Sequence, residues 1–513
     1  MALKNRIILI SLIIFKFIMQ YQLISPTYEL QRDEFLHIDQ ANHLAWGYLS
    51  VPPLTSWISY LIKILGNSVF WIKFFPALFG ALTILIVWKT IESLKGNLFA
   101  QFFGSCCIMF SVLFRLNGLY QPNSFDVLCW TSIYSCIIKY LNNRQSKWLF
   151  YMAIVFALGF LNKYNIVFLI LGLIPAVALV PERKIFTEKK LYYGILIAIL
   201  IILPNIIWQY KNNFPVFVHF KELQDTQLVH VNQWSFIRSQ FLFFFGTFPV
   251  LIFGLYALLK HPAFKTYRLF FYSFFITLGI FLFLRAKDYY AIGLYPIYFA
   301  FGAVYISSLL ENKTGQILKP ILIALTAILF LPVYNIAFPN RNPAYFVNHH
   351  PDKYRKYGML TWEDGKEHPL PQDFADMLGW QELARKVDSL YDQIPRSENT
   401  LVLCDNYGQA GAINYYSKRG IKAVSFNADY INWFDLNKPY RNVIRIKDRW
   451  ERERELAITS PFFGKSILAD SITNSYAREY GTVIFTFIHA KININERISK
   501  EIASEKTAKK LPL

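Results

Sequence analysis

Apolar runs, each long enough to cross a bilayer as a helix of about 20 residues, begin near residues 5, 68, 98, 124, 148, 164, 190, 237, 267, 289 and 317. No water-soluble core can bury eleven such runs in a chain of 513 residues that is 54% hydrophobic and only 17% charged. The pattern therefore predicts a polytopic α-helical membrane protein with about eleven transmembrane helices. The 148–180 region divides least clearly, because Asn162, Lys163 and Asn165 interrupt one long apolar block. The first run, behind Lys4 and Arg6, could be taken for a secretory signal. Its length, the interruption by Lys16 and the lack of a small-residue cleavage site favour a retained anchor.

Charge divides the chain in two. Residues 1–336 carry 27 Lys and Arg against 12 Asp and Glu, whereas 337–513 carry 26 against 22. The shift predicts a membrane domain over 1–336, with a long first loop over 26–67, and a soluble domain over 337–513. The soluble part reads as α/β: apolar residues at helical spacing over 376–394, and strands over 400–404, 423–426, 443–446, 466–468 and 482–488. Residues 497–513 read as a solvated, charged tail. The glycines of YGQAGA are not spaced as in a dinucleotide fingerprint, and a phosphate loop would need a Lys and a Ser that are absent, which excludes a nucleotide site there.

The basic excess of the membrane half does not indicate nucleic acid. Its cations lie mainly in short loops, such as Lys89/Lys95, Arg144/Lys147, Arg183/Lys184 and Lys260/Lys265/Arg268. All of these face the cytoplasm if the N-terminus does. The first loop, Arg115 to Asp126, the Asn162–Asn165 junction, Gln209 to Ser235, Arg285 to Tyr290 and everything after Asn335 then share the exterior side. Acids close to a bilayer are costly unless paired or wet, so the acids gathered on that side mark a cavity. Four of the five cysteines lie in apolar runs, and no zinc spacing or disulfide framework is present.

The chemistry is concentrated in the first loop, RDEFLHIDQANHLAWGYLSVPPL, with the acid pair Asp33 and Glu34 beside His37 and Tyr48. Such a pair is either a solvated surface feature or, held against the membrane by Pro52-Pro53 and the aromatics, a source of a general base. Asp126, in RLNGLYQPNSFD after Arg115, either caps its helix with Ser124 or joins Asp33 in one cavity. Two carboxylates are a weak signal for a shared divalent cation, and no cofactor is required by the sequence. Lys163 either snorkels to the interface or serves a substrate. In FLRAKDYYAIGLYP, Arg285, Lys287, Asp288, Tyr289 and Tyr290 are either an aromatic belt with anchoring cations or a phosphate site at headgroup level. LPNIIWQYKNNFPVFVHF, with Lys211, reads as a substrate-covering loop.

Together these segments resemble the membrane glycosyltransferases of family 39, which include protein O-mannosyltransferases and the lipid A aminoarabinose transferase; the likeness is to a bacterial branch. It rests on the first-loop motif, the Asp126 segment, LGFLNKY, LPNIIWQYKNNFP, KDYYAIGLYP, LGWQELARKV and YGQAGAINYYSKRG. The resemblance implies a GT-C fold, a sugar donor on an undecaprenyl-type polyprenyl phosphate, a bacterial inner-membrane location and an exterior active site. Asp33 is implied in catalysis with Glu34 as its neighbour, and Asp126 matches the second acid. Ser50 stands where related sequences often have an acid, and Val51-Pro52 where the aminoarabinose branch has Lys-Pro; the phosphate site then falls to Arg285 and Lys287, with Lys163. The expected reaction is inverting transfer of a monosaccharide to a hydroxyl of a glycan, lipid or protein. A polyprenyl-linked glycolipid transporter is the alternative from another class.

Overall fold

A computed structural model describes residues 3–349, 351–395 and 398–508. The apolar half folds into α1 (Leu3–Gln22), α2 (Arg32–Asp39), α3 (Leu54–Ile64), α4 (Val69–Ser93), α5 (Leu98–Met109), α6 (Val112–Leu116), α7 (Asn123–Asn143) and α8 (Lys147–Asn162). It continues through α9 (Ile166–Ala178), α10 (Lys189–Lys211), α11 (Pro215–Thr226), α12 (Gln233–Phe243), α13 (Phe248–Lys260), α14 (Arg268–Phe283), α15 (Pro296–Leu309) and α16 (Lys313–Ala337). All eleven apolar runs are helical. By length and composition four helices among the described residues can cross a membrane, or up to seven if each bent pair counts as one span. The others are too short or too polar by that measure; α8, with 16 residues, rises about 24 Å against a hydrocarbon thickness of about 30 Å. The outer faces of α10 and α16 expose Ile199, Leu200, Leu203, Ile321, Leu325 and Ile328, a surface suited to lipid and not to water.

Two sequence expectations for this half change. The first loop is largely helical, because Gln31 and Glu34 form a reciprocal cap that starts α2. The substrate-covering loop is also ordered: α10 runs on to Lys211, and Pro215 opens α11 one turn later.

The C-terminal part begins with the short helices α17 (Pro343–His349), α18 (Pro351–Lys356) and α19 (Gln372–Ala375), followed by α20 (Trp380–Asp392). The strands are β1 (Asn399–Cys404), β2 (Val424–Ser425), β3 (Tyr440–Lys447), β4 (Phe463–Ser471) and β5 (Val483–Ala490), and the remaining helices are α21 (Tyr407–Tyr416), α22 (Arg452–Thr459) and α23 (Ile494–Ala508). The sheet order is β2-β1-β3-β5-β4, with β1 parallel to β2 and β3, and β5 antiparallel to β3 and β4. All five strands coincide with segments read from the sequence. The tail from Arg497 to Ala508 does not behave as expected: Ile494, Ile498 and Ile502, four residues apart, pack α23 on the sheet. Residues beyond 508 lie outside the described region.

Alternation along β3 sends Val443 to the α23 side of the sheet and Ile444 and Ile446 to the side of α20 and α21. That second core does not stop at the sheet. It also takes in Leu30, Phe35, Leu36, Ile38, Ile62, Ile72 and Tyr120 from the membrane half. The glycines of YGQAGA make this approach possible: a Cβ on Gly408 would stand 2.4 Å from Arg32 Cγ, and one on Gly411 2.7 Å from Phe35 Cβ. The glycine-rich segment is thus a helix face pressed against α2.

Candidate active site

Capping decides where the acid pair points. Gln31 Oε1 accepts the Asp33 N–H at 2.8 Å, and Glu34 Oε2 accepts the Gln31 N–H at 2.8 Å. Glu34 is fully buried. Its carboxylate also takes Lys73 Nζ of α4 at 2.6 and 2.7 Å and the Tyr120 N–H at 2.6 Å. The adjacent acids therefore separate in role: Glu34 ties α2 to α4 and to the segment before α7.

Asp33 keeps 38% of its side chain exposed. The Tyr407 hydroxyl, from the first turn of α21, donates to Oδ1 at 2.6 Å. Gln121 Nε2 donates to Oδ2 at 3.3 Å, and Arg32 Nε lies 3.7 Å from Oδ1. Arg32 Nη2 in turn donates to the Tyr407 hydroxyl, with its guanidinium 4.7 Å from the centre of that ring. His37, one turn along α2, is buried with Nδ1 3.4 Å from Gln40 Oε1. Burial pushes its pKa down, against the opposing pull of Asp33 and Glu34.

A directed chain of hydrogen bonds leads from Asp33 toward the Asn162–Asn165 junction. Asn123 Nδ2 donates to Gln121 Oε1 at 2.9 Å, and Lys163 Nζ donates to Asn123 Oδ1 at 2.7 Å. The Lys163 ammonium lies 5.1 Å from the Tyr289 ring centre and 4.5 Å from that of Tyr290, two rings set at 90° to each other. Lys163 forms no ion pair within 4 Å among the described residues; ring faces, one amide and the longer-range charge of Asp126 compensate it. It is an ordered cation rather than a snorkelling one.

Asp126 supports this arrangement from behind. It is buried, with Trp130 Nε1 at 3.0 Å from Oδ1 and Asn165 Nδ2 at 2.9 Å from Oδ2. The same Asn165 amide donates to the Tyr290 carbonyl at 3.0 Å. Asp126 makes no capping bond; α7 starts without a side-chain cap. Both Asp126 oxygens are engaged, and no three His, Cys, Asp or Glu side chains among the described residues are grouped to hold an ion.

The remaining expected residues divide clearly. Lys287 forms an ion pair with Glu363 at 2.6 Å, and Gln372 Nε2 holds the other Glu363 oxygen at 3.1 Å. Burial alone would raise the Glu363 carboxyl, but Lys287 and Gln372 outweigh it and hold the pKa at about 2. Arg285 ends α14 in a left-handed conformation (φ 50°), exposed, with no hydrogen bond or ion pair joining it to the cluster. Arg115 Nη2 lies 3.9 Å from Met377 Sδ, facing the charges of Asp373 and Glu34. Asp288 Oδ1 caps its own turn through the Tyr289 N–H at 2.8 Å. Tyr48 is a loop staple whose hydroxyl donates to the His43 carbonyl at 3.1 Å and accepts the Ala45 N–H at 3.2 Å. Lys211 is exposed at the end of α10. Asp33, Lys163, Tyr289 and Tyr290 are brought together with Asp126 behind them; Arg285, Lys211 and Tyr48 are not.

Sequence reasoning missed Tyr407, Gln121, Asn123, Lys73 and Glu363. Gln121 and Asn123 stand in the quoted QPN segment, and Lys73 is a charge inside an apolar run, so each carried a local signal. Tyr407 opens the quoted YGQAGAINYYSKRG segment, but nothing there pointed to Asp33, 374 residues away; Glu363, 76 residues from Lys287, carried no signal.

Over 95% of this chain and 98% of its own length, the crystal structure of ArnT from Cupriavidus metallidurans bound to undecaprenyl phosphate superposes with a TM-score of 0.63 at 12% identity. This chain carries the GT-C fold. The apo form of the same transferase matches this GT-C chain with a TM-score of 0.62 at 13% identity, over 93% of this chain and 97% of that one. The family model described as dolichyl-phosphate-mannose-protein mannosyltransferase matches residues 50–208, a range that holds Asp126 and Lys163 and begins after Asp33. The lipid A galacturonosyltransferase RgtD of Rhizobium johnstonii is 24% identical over 227 residues, 42% of this chain and 46% of that protein. The GT-C chain thus spans about half the length of the curated relative it matches. These likenesses agree with the family resemblance carried by the sequence motifs.

Proposed function

We propose that this protein is a membrane glycosyltransferase that moves a monosaccharide from a polyprenyl phosphate to an acceptor hydroxyl at the exterior face, with inversion. The observation that carries this reading is the linking of a partly exposed carboxylate, Asp33, to a cation in no direct ion pair among the described residues, Lys163, through the amides of Gln121 and Asn123. Asp33 takes the proton of the acceptor hydroxyl as its oxygen attacks the anomeric carbon. The bond from that carbon to the phosphate oxygen breaks on the opposite face. General-base assistance of this kind contributes about 10² to 10⁴ in rate. The leaving polyprenyl phosphate gathers charge, and Lys163 with the Tyr289 and Tyr290 hydroxyls supplies a preorganised positive site for it. Lys287, already paired with Glu363, is the weaker candidate for that task, and Arg285 is exposed away from the cluster.

In this reading residues 1–336 form the catalytic membrane domain and 337–513 an α/β domain on the exterior side. The relatives suggest the donors to try: mannose and galacturonate on undecaprenyl phosphate, with protein or lipid A as acceptor. Transfer from radiolabelled donors should be lost in Asp33→Asn while the protein keeps its folded, monodisperse form. Lys163→Met should weaken undecaprenyl phosphate binding about 10-fold or more, the scale of one charge-assisted bond, and Arg285→Ala should leave it unchanged. Wild-type turnover by Asp33→Asn would sink the base assignment.

A further inference from the structure

The Tyr407 hydroxyl is placed by more than its own helix. Asn406 and Gln409 form a reciprocal cap at the start of α21, and Gly408 packs on the Arg32 side chain, fixing the first turn against α2. On either side of this contact the backbone is pinned: the Arg32 N–H donates to the Asp376 carbonyl at 3.0 Å and the Glu29 N–H to the Met377 carbonyl at 2.8 Å. Within that frame the phenol accepts from Arg32 Nη2 and donates to Asp33 Oδ1 at 2.6 Å. An O–H···O⁻ bond of this length belongs to the strong, charge-assisted class. With its own lone pair engaged by a guanidinium, the hydroxyl proton is directed to the carboxylate and nowhere else.

We infer that Tyr407 is a positioning residue for Asp33, so that the α/β domain completes the base of the membrane domain. The inference rests on the reading of Asp33 as the base. Without Tyr407, Oδ1 loses its one short bond and Asp33 is held only by the 3.3 Å contact from Gln121 and the distant Arg32 Nε. The groups facing Asp33 from the surrounding elements are Arg32 and His37 on α2, Asp373 and Asp376 from the segment of α19, Tyr289 and Tyr407. The phenol and Arg32 are the hydrogen-bonding and cationic partners that fix Oδ1 of the carboxylate.

The test needs no sugar donor. Water-soluble carbodiimides add at a free carboxyl oxygen, so the labelling rate of Asp33 by a carbodiimide and glycine ethyl ester reports how firmly its oxygens are held by their partners. Full-length protein in mild detergent is labelled at pH 6 and Asp33 is followed by peptide mass spectrometry. Tyr407→Phe should raise the Asp33 labelling rate about 10-fold, the equivalent of one charge-assisted hydrogen bond. Tyr415→Phe removes another phenol of the same helix, one that donates to the Asn67 carbonyl at 3.1 Å, and should leave the rate at the wild-type value. An unchanged rate in Tyr407→Phe overturns the inference, and so does an equal rise in both variants, which would mean general loosening of the interface. If Tyr407 behaves as stated but Asp33→Asn still transfers sugar, it is the base assignment that falls, and the catalytic meaning of the positioning falls with it.

Discussion

Removing the Glu34 carboxylate should destabilise the protein far more than removing its neighbour Asp33. In the native state Glu34 has no exposed surface and gathers Lys73, the Tyr120 N–H and the Gln31 N–H around two oxygens. Breaking a buried ion pair by deleting one partner costs about 3–5 kcal/mol, because the other charge stays buried. Each backbone N–H left without an acceptor adds about 1–3 kcal/mol. These costs overlap, so roughly 5 kcal/mol is a fair expectation for Glu34→Ala, comparable to the entire stability of many proteins. Glu34→Gln keeps one acceptor oxygen and should lose about 3 kcal/mol, chiefly from the orphaned Lys73 ammonium. Adding Lys73→Met to Glu34→Gln removes that ammonium and should recover part of the loss. Denaturant unfolding in mild detergent, run as a double-mutant cycle, measures the coupling, expected to exceed about 2 kcal/mol. If Glu34→Gln unfolds within about 0.5 kcal/mol of wild type, or the double variant is no better than the single one, the ion pair is not what holds α2 to α4.

Two further outcomes follow from the interface between the halves. Gly411→Ala places a Cβ 2.6 Å from the Tyr430 hydroxyl and 2.7 Å from Phe35 Cβ; overpacking of this kind costs about 1–3 kcal/mol and should show as faster tryptic cleavage of the α/β domain. Asp429 accepts the Leu49 N–H at 2.7 Å and Gln40 Nε2 at 3.0 Å, yet burial pushes its carboxyl up to about 6. A carboxyl raised in the folded state binds protons more tightly there, so its contribution to stability falls as pH rises from about 4 to 6. Asp429→Asn should therefore lose less thermal stability at pH 7 than at pH 5. The reverse order would contradict the burial argument.

The segments of the fold were legible because their signals are local. Apolar length marked eleven runs, all of them helical, among the sixteen described α-helices of the membrane half, and strand-like runs marked all five strands. Whether a helix spans was less legible, since α8 and the bent pairs depend on packing rather than on hydropathy. The tail at Arg497–Ala508 was misread for a related reason: its three isoleucines gain an apolar partner only once the sheet exists.

What the sequence determined by itself was the class of molecule and a short set of charged residues that a membrane protein does not keep without cause: Asp33, Glu34, Asp126 and Lys163 among them. Composition and spacing suffice there, because a charge near hydrocarbon is costly wherever the chain goes afterwards. Only the tertiary structure decided what each of them does. Two adjacent carboxylates look alike in sequence, but one helical residue turns the side chain by about 100°, sending Glu34 to Lys73 and Asp33 to Tyr407. It likewise gave Lys287 to Glu363 and left Lys163 to the two tyrosines. Those choices depend on residues far along the chain, and a side chain's task is set by what lies within about 3 Å of it, which spacing in sequence does not encode.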